Sequence, residues 1–334
     1  MLSLSPLLLS LLSFLLPNNN PIQKIRIQGF AQGTSYHILY YANDSLVKKY
    51  QVDSIMNRLD SSLSIYKPNS LISRFNQSAK ELRVDDHFLK VVRKAQYTWR
   101  DTKGIFDITI LPVIEAWGFG TSHPQSTPDS ATIKSLLTCV GSQYLHIKGN
   151  LLIKDKPCIK LDVNGIAQGY SVDVLAAFFE KKGISNYVIE VGGELRVKGH
   201  HIPANEKMKI AIEAPGGNLY EISLEKKLLY LDKGAITTSG SYRKFYESNG
   251  KRISHLLDAR TGMPCNSELI SVTVYARDAI TADAYDNALM VMSLKDAMRF
   301  VEKRKFMAAH FIYRNAAGQI ADTSSSRFLP LFKP

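Results

Sequence analysis

The chain has 334 residues, of which 45% are hydrophobic and 22% charged. That is long and apolar enough for one large folded domain or two joined ones, and it excludes a disordered chain. The net charge is +12, but Lys and Arg are scattered in ones and twos rather than gathered with aromatics into a stripe, which argues against nucleic acid and for a small anion or a membrane surface.

Residues 1–16, MLSLSPLLLSLLSFLL, carry no charge and form an apolar run of export-signal length before the polar break PNNNP. The run is shorter than the ~20 apolar residues that cross a bilayer. No basic residue precedes Lys24 and no small-x-small cleavage pattern follows. We therefore expect residues 1–20 to be an export signal or an N-terminal anchor, with cleavage left open, and residues 21–334 to form the functional domain. Three cysteines, Cys139, Cys158 and Cys265, lie far apart without CxxC spacing. This argues against a zinc site and allows one disulfide with one leftover thiol.

Behind the leader, residues 25–42 alternate like an opening strand pair, with Gly29 and Gly33 at the bends. Residues 45–64 read as an amphipathic helix capped near Asn43-Asp44, and a second helix runs from about Asp85 to Trp99 and stops at Lys103-Gly104. Residues 121–130 are the most linker-like stretch of the mature chain. Beyond them come β-like runs at 150–153, 158–163, 187–191, 209–213, 228–232 and 270–276, and a helix over 166–182. The end of the chain predicts helices at 281–290 and 294–303 and strands at 307–313 and 327–331. Strands come in clusters between helices rather than in strict alternation, so the fold class is α+β.

Four stretches could carry chemistry. In LDVNGIAQGYSVD a strand ending on Asp162 turns through Gly165 and Gly169 into a helix, a place where main-chain N–H groups can meet phosphate, although a plain turn explains it equally. YVIEVGGELRVKG is most simply a hairpin. Thr237, Thr238, Ser239 and Ser241 around Gly240 are donors of the kind that hold an anion; a hairpin at Asn249-Gly250 and the turn DARTGMP follow. His255 and Asp258 beside that last turn tip the reading modestly towards function. In TADAYDNALM, Asp283, Asp286 and Asn287 stand at i, i+3 and i+4, which puts three oxygen groups on one helix face. Carboxylates that close repel unless a cation separates them, and hard oxygens suit Mg²⁺. A merely solvated polar face is the plainer reading of that segment alone.

Taken together, GTSY (33–36), YKPNSLISRFN (66–76), FDITILPVIEAWGFG (106–120), LDVNGIAQGYSVD (161–173), VGGEL (191–195), TSGSY (238–242), HLLDARTGMP (255–264) and TADAYDNAL (281–289) resemble, in order, the landmarks of the flavin transferase or ApbE-like family. That family moves FMN from FAD onto a hydroxyl of a protein. The resemblance implies a T-fold-like α+β architecture with largely antiparallel sheets and flanking helices. It implies that FAD, the substrate, is held by Gln32, Tyr66, Ile105, Phe106, Asp107, Asp162, Gln168 and the His255 strand. It further implies Mg²⁺ on the carbonyl of Gly165 and on Asp283, Asp286 and Asn287.

An acceptor hydroxyl needs a base, for which His255 is the first candidate and Asp258 the second. The implied partner is an acceptor protein with a Thr or Ser flavinylation motif, a subunit of a membrane redox complex, and the implied location is the periplasmic face of the inner membrane. No nucleic acid is expected. Four positions depart from the family's usual residues: Gln168 for Lys, Asn287 for Thr, Ala259 for Pro and Gln32 for Met. The changes at 168 and 287 leave open a second reading, an exported FAD-binding protein without transfer activity.

Overall fold

The computed structural model describes residues 21–120, 127–212, 227–241, 245–248, 251–254, 256–265 and 267–334. The expectations for residues 1–20, for most of the 121–130 linker and for the Asn249-Gly250 turn lie outside them.

An eight-stranded sheet runs through the molecule: β1 (Gln23–Ala31), β2 (Thr34–Ala42), β3 (Tyr187–Val191), β4 (Glu194–Lys198), β5 (Lys233–Gly240), β6 (Leu269–Ala276), β7 (Met307–Arg314) and β8 (Ile320–Ser324). Its spatial order follows the chain order and every neighbouring pair is antiparallel. With its flanking helices it bears out the α+β reading.

β1 and β2 join through Gln32 (φ 54°) and Gly33 (φ 74°), both left-handed, as a two-residue hairpin turn requires. Gly29, expected at a bend, instead lies inside β1 opposite Tyr36, whose hydroxyl sits 2.4 Å from where a Cβ would be. The strand needs a glycine there to let the buried tyrosine cross over it.

Helices α1 (Lys49–Leu63), α2 (Leu71–Gln77), α3 (Asp86–Asp101), α4 (Leu111–Ala116), α5 (Ser130–Leu137), α6 (Ala167–Lys181), α7 (Ala279–Met290) and α8 (Leu294–Glu302) complete the framework. α1 begins four residues later than its pattern predicts. Buried Val47 is tied through its backbone N–H to the Tyr40 hydroxyl, and the chain turns helical only when Gln51 accepts the Lys48 N–H. α3 starts as expected, with Asp85 accepting the Phe88 N–H at 2.8 Å.

One core cluster packs Tyr36, Ile38 and Tyr40 of β2 and Ile189 of β3 against apolar residues of α1, α3 and α6. A second packs Val272, Val274 and Phe311 of β6 and β7 against Tyr285 and Leu289 of α7 and Val301 of α8. α6 and α7 therefore meet at the junction of the two.

Two predicted strands are corrected. Residues 158–163 form no strand: they make one isolated parallel bridge, Ile110 to Lys160, and are otherwise held by side chains. Residues 327–331 turn into a 3-10 helix at Leu329–Phe332, and the pairing is taken by β8, whose polar sequence IADTS lacks an apolar alternation to reveal it.

Candidate active site

A cavity of about 560 Å³ opens where the Ile105–Gly120 segment, the 162–165 corner, α7 and the Leu256–Ala259 segment converge. Ile105, Phe106, Ile108, Ile114, Phe119 and Leu257 supply an apolar lining, while its polar lining gathers at Asp162, Asn164, Gly165 and Asn287. An apolar cleft with a few convergent polar groups is the usual form of a small-molecule site. Tyr66 lines it too, with 59% of its surface exposed.

The polar corner is built from α6 and α7. They cross at Gly169, where an added Cβ would stand 2.4 Å from the Ala279 carbonyl oxygen and 2.7 Å from Asp283 Cβ, so no larger residue fits. The Gly169 N–H donates to Asp283 Oδ2 at 2.8 Å. Asp173, one turn further along α6, accepts the N–H groups of Ala279 and Ile280 at the start of α7, both at 2.9 Å. Asp278 caps the same turn through the Thr281 N–H. Main-chain contacts thus fix the acidic helix before any ligand arrives.

Asp283 and Asp286 are 3% and 1% exposed. Burial pushes the Asp283 carboxyl above its ordinary value, against the Gly169 N–H that lowers it. Asn287 Nδ2 lies 2.9 Å from Asp286 Oδ1, 3.0 Å from the Asp283 carbonyl, 3.4 Å from Asp283 Oδ1 and 3.5 Å from the Gly165 carbonyl. The four predicted metal-site residues are therefore brought together, with oxygens of Gly165, Asp283 and Asp286 converging on the Asn287 NH₂ group. Two carboxylates, a main-chain carbonyl and an amide are hard donors that fit Mg²⁺. Among the described residues no cluster of three or more His, Cys, Asp or Glu could hold a metal, so carbonyl and amide oxygens would be needed to complete any such set.

The 158–163 run reaches the cavity through clamps that sequence reasoning did not assign. Asn76 accepts the Leu161 N–H at 2.7 Å and donates to its carbonyl at 2.9 Å. Lys154, 1% exposed, donates to the carbonyls of Phe75, Pro157 and Ile159, and burial brings its amine down to about 8. Asp162 is thereby placed at the mouth of α6, its Oδ1 accepting the Asn164 N–H at 2.7 Å. A disulfide, Cys139–Cys158, ties this run to the Gly141-Ser142 turn, leaving Cys265 as the free thiol among the described residues.

Other predicted residues take different places. Asp107 lines the cavity, and its carboxylate accepts four hydrogen bonds of 2.6–2.9 Å from Thr109 and Ser142, which anchor this stretch of the wall. Burial raises its pKa against those bonds. Gln32 and Gln168 do not line the cavity. Gln32 Nε2 donates to Ser171 at 2.9 Å, its buried Oε1 has no hydrogen-bond partner among the described residues, and the Gln168 amide packs over Gly192.

Asp258 is gripped by Arg260 through its backbone N–H, Nε and Nη2, at 2.7–2.9 Å for the nearest pairs, and lines a smaller neighbouring depression. That pairing would have to open for the carboxylate to serve as a base. His255 lies outside the described residues. Of the hydroxyl cluster, Thr238 pairs with Thr273 and Ser241 with the Ile270 carbonyl across the sheet, so they do not form an anion cradle; Ser239 turns to Asn287.

The ApbE family profile matches residues 32–311. This chain belongs to the ApbE family. The FAD:protein FMN transferase of Vibrio cholerae is 34% identical over 292 residues, covering 84% of this chain and 85% of that relative. The one from Haemophilus influenzae is 31% identical over 90% of each. Among solved structures, the flavin transferase ApbE of Vibrio cholerae superposes with a TM-score of 0.83 at 31% identity, covering 93% of this chain and all of the other. The apo flavinyl transferase ApbE of Pseudomonas stutzeri gives 0.83 at 31% identity, over 94% and 98%. ApbE membership thus accords with the motif order, and the cavity joins five of those motifs in space.

Proposed function

We propose that this chain transfers the FMN part of FAD to a Thr or Ser hydroxyl of an acceptor protein. The observation that carries the reading is the cavity itself: about 560 Å³ with apolar walls, ending at Asp162, Gly165 and Asn287 beside two buried carboxylates. Names of relatives over most of the chain support it.

In this reading the apolar walls seat the isoalloxazine and exclude water from it, and the α6 corner receives the pyrophosphate. Gly165, Asp283, Asp286 and Asn287 would hold a magnesium ion, which when bound offsets the charge of the pyrophosphate and of the leaving group. The acceptor oxygen forms a bond to the flavin-side phosphorus while the bond from that phosphorus to the AMP phosphate breaks. The hydroxyl proton passes to a base, and the product is a phosphoester with AMP released. Arg260 already holds Asp258, which favours His255 for that role. Water in place of the hydroxyl would give FMN and AMP.

For location we propose export, with the chain soluble or anchored at the periplasmic face of the inner membrane and an acceptor in a membrane redox complex. The leader composition and a disulfide, a bond typical of oxidising compartments, support this. No helix among the described residues is long and apolar enough to cross a membrane.

The test mixes the protein with FAD, Mg²⁺ and a Thr-bearing acceptor and reads flavin fluorescence on the acceptor in a denaturing gel. Labelling is expected, and Asp283→Ala should abolish it while leaving the fold intact by circular dichroism. Tight FAD binding without labelling would replace this reading with that of a binding protein. Wild-type labelling in the presence of a chelator would remove the metal from it.

A further inference from the structure

We propose that the Asn287 amide is a two-position latch on the cation site, nitrogen inward when the cation is absent and oxygen inward when it is bound. The inference rests on the magnesium reading above. Asn287 Nδ2 has oxygens of Asp286, Asp283 (two) and Gly165 within 3.5 Å, and its two protons make the shorter bonds, to Asp286 Oδ1 at 2.9 Å and the Asp283 carbonyl at 3.0 Å. The amide oxygen points the other way, to Ser239 Oγ at 3.5 Å. Hydrogen bonds to buried acceptors stabilise, so the NH₂ group helps to hold the site together in its cation-free state.

A magnesium ion binds oxygens at ~2.1 Å and accepts no N–H in its shell. Nitrogen and cation therefore cannot share that position. A half-turn about the Cβ–Cγ side of the amide exchanges its two ends: the carbonyl oxygen then joins the carboxylates, an arrangement that repels without a cation and is favourable with one. Ser239 can follow the exchange, because a hydroxyl donates to the oxygen in one state and accepts from the nitrogen in the other. Gly165 lies close against the amide, since an added Cβ there would stand 3.3 Å from Asn287 Cγ. Rotation in place is the smallest movement that makes the exchange.

The consequence is that cation binding must first break the amide's own hydrogen bonds. Asn287→Thr removes the inward nitrogen and keeps an oxygen. It should lower the melting temperature of the cation-free protein and tighten Mg²⁺ binding about tenfold, the scale of one or two hydrogen bonds. Calorimetric titration with Mg²⁺, with and without FAD, reads the affinity, and the side-chain amide resonances of Asn287 in ¹⁵N-labelled wild-type protein should move on titration. If Asn287→Thr does not fold, Asn287→Ser carries the same comparison. Equal or weaker Mg²⁺ binding by the variant, or unmoved amide resonances in a wild type that binds Mg²⁺, overturns the latch and leaves the magnesium reading standing. No Mg²⁺ binding by either protein overturns both.

Discussion

The two walls of the cavity are held by different kinds of contact. On the α6–α7 side the chain is buried, Gly169 lies against the Ala279 carbonyl, and Asp173 and Asp283 accept from main-chain N–H groups, with Arg196 adding one side-chain bond to Asp173. On the other side, the lip Leu256–Cys265 is a two-residue strand pair, Leu257-Asp258 with Met263-Pro264. It is pinned by the Arg260–Asp258 pair and by Trp117 Nε1 donating to the Gly262 carbonyl at 2.7 Å. Met263 at its edge is 46% exposed. A wall fixed by backbone suits a ligand of constant shape such as a dinucleotide. A wall built on a short hairpin, with an ion pair and an indole contact at its edge, suits the side from which a larger acceptor must enter.

The contrast predicts that a change which parts α6 from α7 is global in effect, and that damage to the second wall is local. Gly169→Ala is the most severe test. Its new methyl would meet main chain at 2.4 Å, which can be relieved only by parting the helices. A loss of about 3 kcal/mol of stability in urea unfolding, with loss of FAD binding, is expected. A loss under ~1 kcal/mol would mean that the corner is looser than the contacts imply.

Next in size is the disulfide, which joins the two runs that carry Asp107's partners and Asp162. It closes a loop of 19 residues, for which chain entropy gives about 3 kcal/mol. The double variant Cys139→Ser/Cys158→Ser should lose that amount under oxidising conditions, and dithiothreitol should destabilise the wild type but not the variant.

What the sequence reveals and what it conceals divide along the same line. The i, i+3, i+4 spacing of Asp283, Asp286 and Asn287 is local, and the helix delivers it as expected. Ser142, which holds Asp107, lies 35 residues away, and Asn76 meets Leu161 across 85. No periodicity encodes such partners, so the sequence shows the carboxylate of a motif without the hydroxyl and amide groups that hold it. The same blindness made 158–163 look like a strand: its apolar residues are buried, but a side-chain amide takes the place of a neighbouring strand. Gly29 misled for a related reason, since a glycine that admits a ring and a glycine that makes a turn look identical in one dimension.

Asp107 offers a pH test of the Ile105–Gly120 segment that lies between the two walls. Its folded pKa is raised by burial, so the folded state binds the proton more tightly than the unfolded chain does. Its contribution to stability is therefore present at low pH and is lost as pH rises from the ordinary carboxylate range through the raised value. Asp107→Asn has no such group. The stability of wild type relative to the variant, from urea unfolding, should fall as pH rises out of the ordinary carboxylate range and level off above the raised folded value. A difference that grows with pH would mean that the four hydrogen bonds outweigh burial and keep Asp107 ionised.

The smallest effect is expected at the lip, and it separates two roles for Asp258. If the carboxylate served as the base, Asp258→Asn would slow acceptor labelling by a factor of about 100 or more, the usual contribution of general base catalysis. With both oxygens already engaged by Arg260, its work is to hold the hairpin. Labelling should then fall less than about tenfold and stability by less than ~1 kcal/mol, as befits a partly exposed ion pair. Hydrolysis of FAD by water, which needs no acceptor, should change still less. Equal loss of hydrolysis and labelling would instead show that the lip shapes the nucleotide site, and the contrast between the two walls would fail.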